Sequence, residues 1–247
     1  LFVALPIVSV GTNVFSQGTG GTWAHLASTV LPDYITTTLW LCIGVGTSAA
    51  VIGVGTAWLV THFDFPLRRT FEWALLLPLA MPAYVMAYAY TDVLQFAGPV
   101  QGWLRATMGW SRADYWFPDV RTLGGAVVMF SFVLYPYVFM LARSAFMERG
   151  GAVIEAGRSL GMSPWRNFLR VSLPMARPAI AAGVALALME TLADYGTVSY
   201  FAVQTFTTGV YSAWFSLGDA VAAGQLASCL LAFVAVVLLV ERATRGN

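Results

Sequence analysis

Residues Gly150 to Pro178 read GGAVIEAGRSLGMSPWRNFLRVSLPMARP, and the fold prediction rests mainly on this segment. It is the longest polar interruption between apolar segments that still carries the signals of regular structure. Gly161 is suited to end a short helix, and Ser163 with Pro164 is suited to cap and begin another. The proline after Leu173 is expected to end that second helix. The stretch therefore predicts two short helices joined at a glycine, which form a compact knob between two apolar spans.

Apolar residues dominate the chain on both sides of this knob. Of its 247 residues, 58% are hydrophobic and 10% are charged, and the mean hydropathy is +0.72. A backbone that crosses a bilayer must be helical or part of a closed barrel, because the bilayer core offers no water to its polar groups. The apolar runs here are continuous rather than alternating, which disfavours the barrel. We therefore expect an all-α fold, a polytopic transmembrane helical bundle that forms one domain over residues 1–247.

The apolar runs predict about six spans, of which the first is truncated. The run Leu1–Phe15 is shorter than the roughly 20 residues that cross a bilayer. The chain also lacks an initiator methionine, so we expect it to be a piece of a longer protein. A loop is expected at Ser16–Thr22. The other expected spans are Tyr34–Val60, Trp73–Ala97 with kinks at Pro78 and Pro82, Thr122–Phe146, Ala179–Phe201 and Ala220–Val240.

All thirteen basic residues are arginines, and lysine is absent. A P-loop needs its lysine to reach the nucleotide phosphates, and a Schiff-base enzyme needs a lysine amine. We therefore expect a chain without an ATPase site, enzyme activity or bound cofactor. His25, His62, Cys42 and Cys229 have no partners at metal-ligand spacing, so we expect no metal site. The histidines are expected at a surface or an interface, and the cysteines as buried thiols.

The arginines also predict an orientation in the membrane. If the knob is cytoplasmic, its side holds ten of them: Arg68, Arg69, Arg143, Arg149, Arg158, Arg166, Arg170, Arg177, Arg242 and Arg245. The opposite side then holds Arg105, Arg112 and Arg121. Cytoplasmic loops of membrane proteins carry an excess of basic residues, so this asymmetry favours a cytoplasmic knob.

The spacing within the knob resembles the cytoplasmic coupling loop of ABC importer permeases. That pattern is Glu-Ala-Ala, three residues, Gly, nine residues, then an aliphatic residue, any residue, Leu and Pro. The matching positions are Glu155, Ala156, Gly157, Gly161, Val171, Leu173 and Pro174, with Gly157 as the one clear departure from the usual alanine.

This resemblance implies the type I (MetI-like) permease fold, with residues 148–178 as the coupling loop. It also implies ATPase subunits as partners, which hold ATP and Mg²⁺ and push on the loop. Glu155 is expected near the start of the first short helix, where an acid stabilises the macrodipole and offers a charge to the partner. On its own it would be one more solvated glutamate.

Two groups of polar residues fall within the predicted spans. Glu190, near the middle of the fifth span, and Asp194 are four residues apart, so we expect them on one face. Tyr88 and Asp92 belong to a polar face of the third span. A charge at mid-bilayer costs about 2.5 to 3.5 kcal/mol on insertion scales, so such acids usually face a cavity or a partner. For Glu190 and Asp194 the sequence leaves open a translocation pathway or gate and structural hydrogen bonds with serine, threonine or tyrosine of a neighbouring span. Tyr88 and Asp92 are expected to face the bundle or a water-filled route and are assigned to the same pathway.

Three further stretches resemble the ferric-iron importer permeases in particular. They are FEWALLLPLAMPAY at residues 71–84, METLADYGT at residues 189–197 and VQTFTTGVY at residues 203–211. The chain is similar to the amino-terminal half of these fused, double-length permeases. The resemblance implies a second permease unit, a periplasmic solute-binding protein and location in the bacterial inner membrane among its lipids. No nucleic acid partner is expected.

Other functions fit parts of the same sequence. Permeases for thiamine, polyamines, sulfate and other solutes share the scaffold. Paired membrane acids are equally typical of an ion-coupled secondary transporter, which would leave the structured basic loop unexplained. An intramembrane serine protease using Ser48 or Ser131 is disfavoured, because neither histidine lies within a span to act as base. We expect a permease for iron(III) that works by alternating access.

Overall fold

The computed structural model describes residues 4–12, 22–159 and 161–245, which form helices joined by turns and loops, without a strand. A 3₁₀-helix covers Leu77–Ala80, and π-helical turns cover Phe168–Ser172 and Ser212–Ser216. The α-helices of these residues are α1 (Ala4–Thr12), α2 (Thr22–Thr29), α3 (Leu31–His62), α4 (Arg68–Ala74), α5 (Ala83–Leu94), α6 (Pro99–Met108), α7 (Leu123–Ser159), α8 (Pro164–Asn167), α9 (Leu173–Ala193), α10 (Gly196–Tyr200), α11 (Phe206–Tyr211) and α12 (Ala220–Arg245).

Four segments of the described ranges are long and apolar enough to cross a membrane, namely Leu31–His62, Leu123–Glu148, Pro164–Ala193 and Ala220–Ala243. A fifth is added if Arg68–Ala80 and Ala83–Met108 count as one broken span. Helix α1 supplies nine residues of the expected truncated first span. The start of that span and most of the predicted loop Ser16–Thr22 lie outside the described residues. The prediction of an all-helical, multi-span membrane protein is confirmed.

The predicted third span is interrupted rather than kinked. Pro78 lies in the 3₁₀-helix, and Met81 and Pro82 have extended backbone, with ψ angles of 137° and 142°. A proline disfavours helical backbone at the residue before it and removes an amide donor. Two prolines four residues apart therefore stop the helix, and a new one, α5, begins at Ala83. The prediction of one kinked helix over Trp73–Ala97 is wrong in this respect.

The described chain divides into two compact units. The first contains the residues up to Ile43, Pro82–Phe130 and Leu192–Val234. Its apolar core is built around Tyr34, Phe206 and Leu226, and the Tyr34 and Phe206 rings lie 6.5 Å apart. These buried side chains hold the carboxyl end of this unit, α11 and the start of α12, against α2 and the start of α3.

The second unit contains Gly44–Met81, Ser131–Thr191 and the residues from Ala235 onward. Small residues let its helices approach closely. A Cβ added at Gly53 of α3 would lie 2.7 Å from Val138 Cβ of α7, and one added at Gly183 of α9 would lie 2.7 Å from Val138 Cα. Gly46 of α3 packs against Leu188 of α9 in the same way, at 3.4 Å. This helix packing supports the turn that joins α7 to α8.

Candidate functional site

The predicted coupling loop begins as an extension of α7, which runs without a break to Ser159. The helix ends at Gly161, which has a φ of +75°, and the Met162 amide donates to the Gly157 carbonyl at 3.0 Å. This is the hydrogen bond of a Schellman helix end, in which glycine avoids the Cβ clash of left-handed backbone. The predicted stop at Gly161 is confirmed.

Glu155 and Ala156 lie close to the carboxyl end of α7. The prediction that Glu155 stands near the start of a separate short helix is wrong, because the span and the first half of the loop form one continuous helix. The negative end of the macrodipole does not favour an acid there. A role of Glu155 in contact with a partner stays a prediction.

The second half of the loop starts at a capped helix. Ser163 has extended backbone, and its hydroxyl accepts the Arg166 amide at 3.3 Å. Pro164 takes the first helical position, where its missing amide costs no hydrogen bond. The predicted cap and start are confirmed, and the turn between α7 and α8 is only a few residues long.

Leu173 and Pro174 do not end this helix, contrary to the prediction. Helix α8 continues through the π-helical turn Phe168–Ser172 directly into α9. A proline within a helix removes a hydrogen bond and crowds the carbonyl four residues earlier. The wider π turn lies immediately before Leu173 and relieves that crowding. Val171, Leu173 and Pro174 are therefore half-buried helical residues, and the knob is a helical hairpin whose arms extend two spans.

Gly157 and Asn167 hold the two arms of this hairpin together. Gly157 is buried, and a Cβ added to it would lie 2.8 Å from Asn167 Nδ2 and 3.0 Å from Asn167 Cγ. Asn167 is 2% exposed, so its amide fills the space that an alanine side chain would need. This contact explains the glycine at the position where the resembling family usually has alanine.

Five aromatic side chains fix α8 against α3 and α7, and we call them the aromatic clamp: Trp58, His62, Phe146, Trp165 and Phe168. The ring centroids of Trp58 and Phe168 lie 4.6 Å apart, and those of Trp165 and Phe168 lie 5.4 Å apart. His62 packs on Phe146 at 5.7 Å. Aromatic pairs of this kind contribute about 0.5–1.5 kcal/mol each beyond burial. His62, which was expected at a surface or an interface, is half-buried in the clamp.

The hairpin also presents an exposed surface, which we call the α8 surface. It consists of Trp165, Arg166, Leu169 and Arg170, of which Trp165 is 58% and Leu169 is 44% exposed. Exposed large apolar side chains beside arginines are typical of contacts with another protein. The clamp packs this surface against α3 and α7.

Ion pairs brace α4 against α7 within the same unit. The Glu72 carboxylate lies 3.2 Å from Arg143 and 3.5 Å from Arg68, and Arg68 contacts Asp64 at 2.6 Å. Exposed ion pairs contribute about 0–1 kcal/mol each. This network therefore fixes the direction of the side chains more than it stabilises the fold.

Glu190 and Asp194 do not share a helical face, contrary to the prediction. Helix α9 ends at Ala193, so Glu190 lies in its last turn and Asp194 lies beyond it. Glu190 is exposed and interacts with the Tyr137 hydroxyl of α7. The two acids also belong to different compact units.

Asp194 has a structural role at the start of α10. Its carboxylate accepts the Thr197 amide at 2.6 Å and the Thr197 hydroxyl at 3.0 Å, while its carbonyl accepts the Thr207 hydroxyl at 3.0 Å. These bonds satisfy donors that a helix start leaves without partners. The Asp194 carboxylate is thus bound by Thr197, three residues later, rather than by a residue of a neighbouring span. A place on a pathway stays a prediction.

Tyr88 and Asp92 lie on α5 and are exposed. The Tyr88 ring packs on Tyr200 with centroids 4.9 Å apart, and Asp92 accepts the Gln95 amide at 3.0 Å. An exposed, polar helix face in an apolar protein faces either water or another subunit. Their place on a translocation pathway stays a prediction.

A family model described as binding-protein-dependent transport system inner membrane component matches residues 49–245, which include the whole hairpin. This chain belongs to that family of permeases. The family and the apolar spans together make the chain a multi-pass protein of the inner membrane.

Relatives of this permease include transporters for more than one solute. The probable sulfate transport system permease protein cysT of Chlorokybus atmophyticus is 29% identical over 78% of this chain and 65% of its own length. The sulfate transport system permease protein CysW of Escherichia coli K12 is 29% identical over 79% and 64%. The Fe(3+)-transport system permease protein FbpB 2 of Haemophilus influenzae is 23% identical over 88% and 38%. The permease chain therefore spans just under two thirds of these sulfate relatives and well under half of the iron relative.

Solved structures of ABC importers have the same fold. A bacterial ABC transporter involved in the import of alginate matches with a TM-score of 0.74 and 16% identity, over 100% of this permease and 89% of that chain. An inward-facing MetNI methionine ABC transporter matches with a TM-score of 0.64 and 18% identity, over 88% and 95%. The predicted ABC importer permease fold is confirmed.

Sequence reasoning missed the aromatic clamp and Asn167. The signal for the clamp was present, since Trp58 and His62 are one turn apart, as are Trp165 and Phe168. No local signal identified Asn167, because its role depends on a glycine ten residues earlier in the permease chain.

Proposed function

We propose that this chain is the transmembrane unit of an ATP-driven importer, with the hairpin of α7 and α8 as the element that ATPase subunits push. The observation that carries the proposal is the packing of the hairpin. A Schellman end, a serine cap, the Gly157 and Asn167 contact and the aromatic clamp hold its described residues together. The arginine-rich α8 surface then offers a partner both charge and apolar contact.

The proposal also implies the other subunits of the transporter and their roles. A periplasmic binding protein delivers the solute, and a second permease unit, fused or separate, completes the pathway. ATP binding draws the ATPase subunits together, the hairpins move with them, and the permease units rock to open outward. The ATPase subunits hold ATP and Mg²⁺, and no covalent step falls to this chain.

We propose iron(III) as the solute. The stretches at residues 71–84, 189–197 and 203–211 resemble iron permeases, and the FbpB 2 relative matches 88% of the chain. Sulfate is the second candidate, since relatives named as sulfate permeases reach 29% identity against 23% for FbpB 2. Alternating access with a bound donor protein suits either solute.

Uptake into proteoliposomes tests both the ATP-driven import and the choice of solute. The intact transporter is reconstituted with its binding protein, and radioactive iron(III) and sulfate are compared with and without internal ATP. Iron uptake that requires ATP supports the full proposal, and ATP-dependent sulfate uptake supports the importer with the second solute. Uptake driven by a proton or sodium gradient in the absence of ATP would instead identify an ion-coupled secondary transporter.

A further inference from the structure

A cavity of about 550 Å³ lies beside the end of α5, within the first compact unit. Small-molecule sites typically have volumes of about 300–1,000 Å³. The walls come from the end of α5, from α6 and from the segment of residues 109–122 that follows it. The lining residues that matter here are Thr91, Gln95, Arg112, Tyr115, Phe117 and Arg121.

The wall of this cavity is fixed by hydrogen bonds. Gln101 is 5% exposed, donates to the Leu94 carbonyl at 2.8 Å and accepts the Tyr115 hydroxyl at 2.8 Å. Arg105 donates to the Tyr115 oxygen at 2.9 Å and to the Phe96 carbonyl at 2.8 Å. The segment after α6 is thereby tied to the corner between α5 and α6. The cavity is a built feature rather than a gap beneath a loose loop.

Two arginines line the cavity without a carboxylate partner. The Arg112 guanidinium lies 5.1 Å from the Phe96 ring centroid, and that of Arg121 lies 4.3 Å from the Tyr200 ring centroid. Within the described parts of the chain, neither forms an ion pair. A guanidinium that lies over an aromatic ring keeps its positive charge and still has N–H groups that can bind an anion.

The acids near the cavity cancel only part of this charge. Asp114 is not among the lining residues, and its carboxylate accepts the Ser111 hydroxyl at 2.7 Å and the Ser111 amide at 2.6 Å. Asp119 does line the cavity and offsets one of the two arginine charges. The lining keeps a net positive charge.

The buried hydroxyl group of Thr91 also indicates a ligand in this cavity. The residue is 2% exposed, lines the cavity, and its hydroxyl has no hydrogen-bond partner among the described residues. Buried hydroxyl groups nearly always have a partner, because an unsatisfied one costs free energy. An acceptor oxygen bound in the cavity would satisfy it.

We propose that this cavity binds a small organic anion, a carboxylate or a phosphate ester. Its oxygens accept from Arg112, Arg121 and the Thr91 hydroxyl, and its apolar body packs on Tyr115 and Phe117. An inorganic oxyanion alone would fill only a small part of the volume. The distribution of arginines predicts that this segment faces the side of the membrane opposite the hairpin, so the ligand enters from outside. The site does not depend on which solute the permease carries.

Calorimetric titration with phenyl phosphate tests the proposal, since this probe combines an anionic group with an aromatic body. The intact transporter is held in nanodiscs of zwitterionic lipid. We expect saturable binding that is tighter than that of inorganic phosphate and that weakens at least about tenfold in Arg112→Gln and in Arg121→Gln. Thr91→Val, of similar shape, is expected to weaken binding several-fold. Arg242→Gln, which removes an exposed arginine of α12, is the charge-matched control and is expected to bind like the native protein.

Three results would overturn the proposal. One is the absence of saturable binding to the native transporter. Another is equal binding by the native protein and both arginine variants, provided that their thermal unfolding midpoints are unchanged. The third is complete displacement of the probe by phosphatidylglycerol added to the nanodiscs, since the occupant would then be a lipid headgroup.

Discussion

Gly157 has no Cβ, and the buried amide of Asn167 occupies the space that a Cβ would need. Gly157→Ala would gain about 1 kcal/mol of helix propensity. Overpacking a filled site costs about 1–3 kcal/mol. Because the added Cβ would lie 2.8 Å from Asn167 Nδ2, we expect the overpacking cost to dominate and the thermal unfolding midpoint in detergent to fall.

Two further variants make this measurement specific. Gly55→Ala, in α3, adds a Cβ with nothing within 4 Å, so it should show only the gain in helix propensity. Adding Asn167→Ala to Gly157→Ala should recover part of the lost stability, because the clashing amide is gone. A single variant Gly157→Ala that is as stable as Gly55→Ala would contradict the contact.

Residues that act locally were predictable from sequence, and residues that act through tertiary packing were not. The stop at Gly161 and the cap at Ser163 follow from backbone preferences of the residues themselves. Asn167 acts only when α8 folds back on α7, so its neighbours in sequence say nothing about it. Gly157, which the sequence marked as a departure from the family pattern, is explained only by that contact.

Among the elements, the turn between α7 and α8 depends on the left-handed backbone of Gly161. A β-branched residue is strained at a φ of +75°, at a cost of about 1–2 kcal/mol. Gly161→Val should therefore loosen the turn while leaving membrane insertion intact. We expect ATP hydrolysis to continue in vesicles while uptake is lost. Gly161→Asn, which tolerates left-handed backbone, should keep most of the uptake, and equal uptake by both variants would count against this role of the turn.

The aromatic clamp is a second feature at the scale of the elements, because it packs α8 against α3 and α7. Trp58→Leu removes the ring that contacts both Phe168 and Trp165. Replacing a fully buried aromatic side chain by alanine costs about 3–5 kcal/mol, and the replacement of the half-buried Trp58 by leucine should cost less. We expect faster proteolysis within residues 159–168 and weaker coupling of ATP hydrolysis to uptake. Trp40→Leu, at an exposed position of the same helix, is the control, and equal protease resistance of the two variants would argue against the clamp.

Element boundaries were less predictable than the elements themselves. The sequence marks Pro174 as a helix end, yet the π turn before it lets the helix continue. In contrast, Pro78 and Pro82 do interrupt the third predicted span, because two prolines act on adjacent turns. Proline alone does not decide between a break and a continued helix, since the backbone around it determines whether the lost hydrogen bond can be absorbed.

At the scale of the whole molecule, chemical labelling of position 190 tests whether the predicted membrane acid there is accessible to water. Its side chain is exposed at the end of α9, so we expect Glu190→Cys to react with a water-soluble maleimide in at least one nucleotide state. The background lacks the native thiols, with Cys42→Ala and Cys229→Ser. Ala187→Cys, one turn earlier at a fully buried position, should stay unreacted. Protection of residue 190 in every nucleotide state would exclude it from the pathway.

The family and the general architecture followed from the sequence, whereas the solute did not. Apolar runs, arginine asymmetry and the spacing around Gly161 are properties that the whole family needs in order to span a membrane and meet a partner. In the proposed importer, the choice of solute depends on side chains that line a route between two permease units. Such a route cannot be read from one chain, and the relatives accordingly include both sulfate and iron permeases.

Site-specific cross-linking most directly tests the proposal that the α8 surface contacts an ATPase subunit. Arg166→Cys, in the background without native thiols, carries a photoreactive cross-linker while the intact transporter is purified from membranes. We expect a cross-linked product that contains an ATPase subunit and whose yield changes when ATP is added. We expect no such product from Arg112→Cys, because the distribution of arginines predicts that this residue faces the other side of the membrane. An Arg166→Cys protein that transports its solute yet never cross-links to an ATPase would contradict the account.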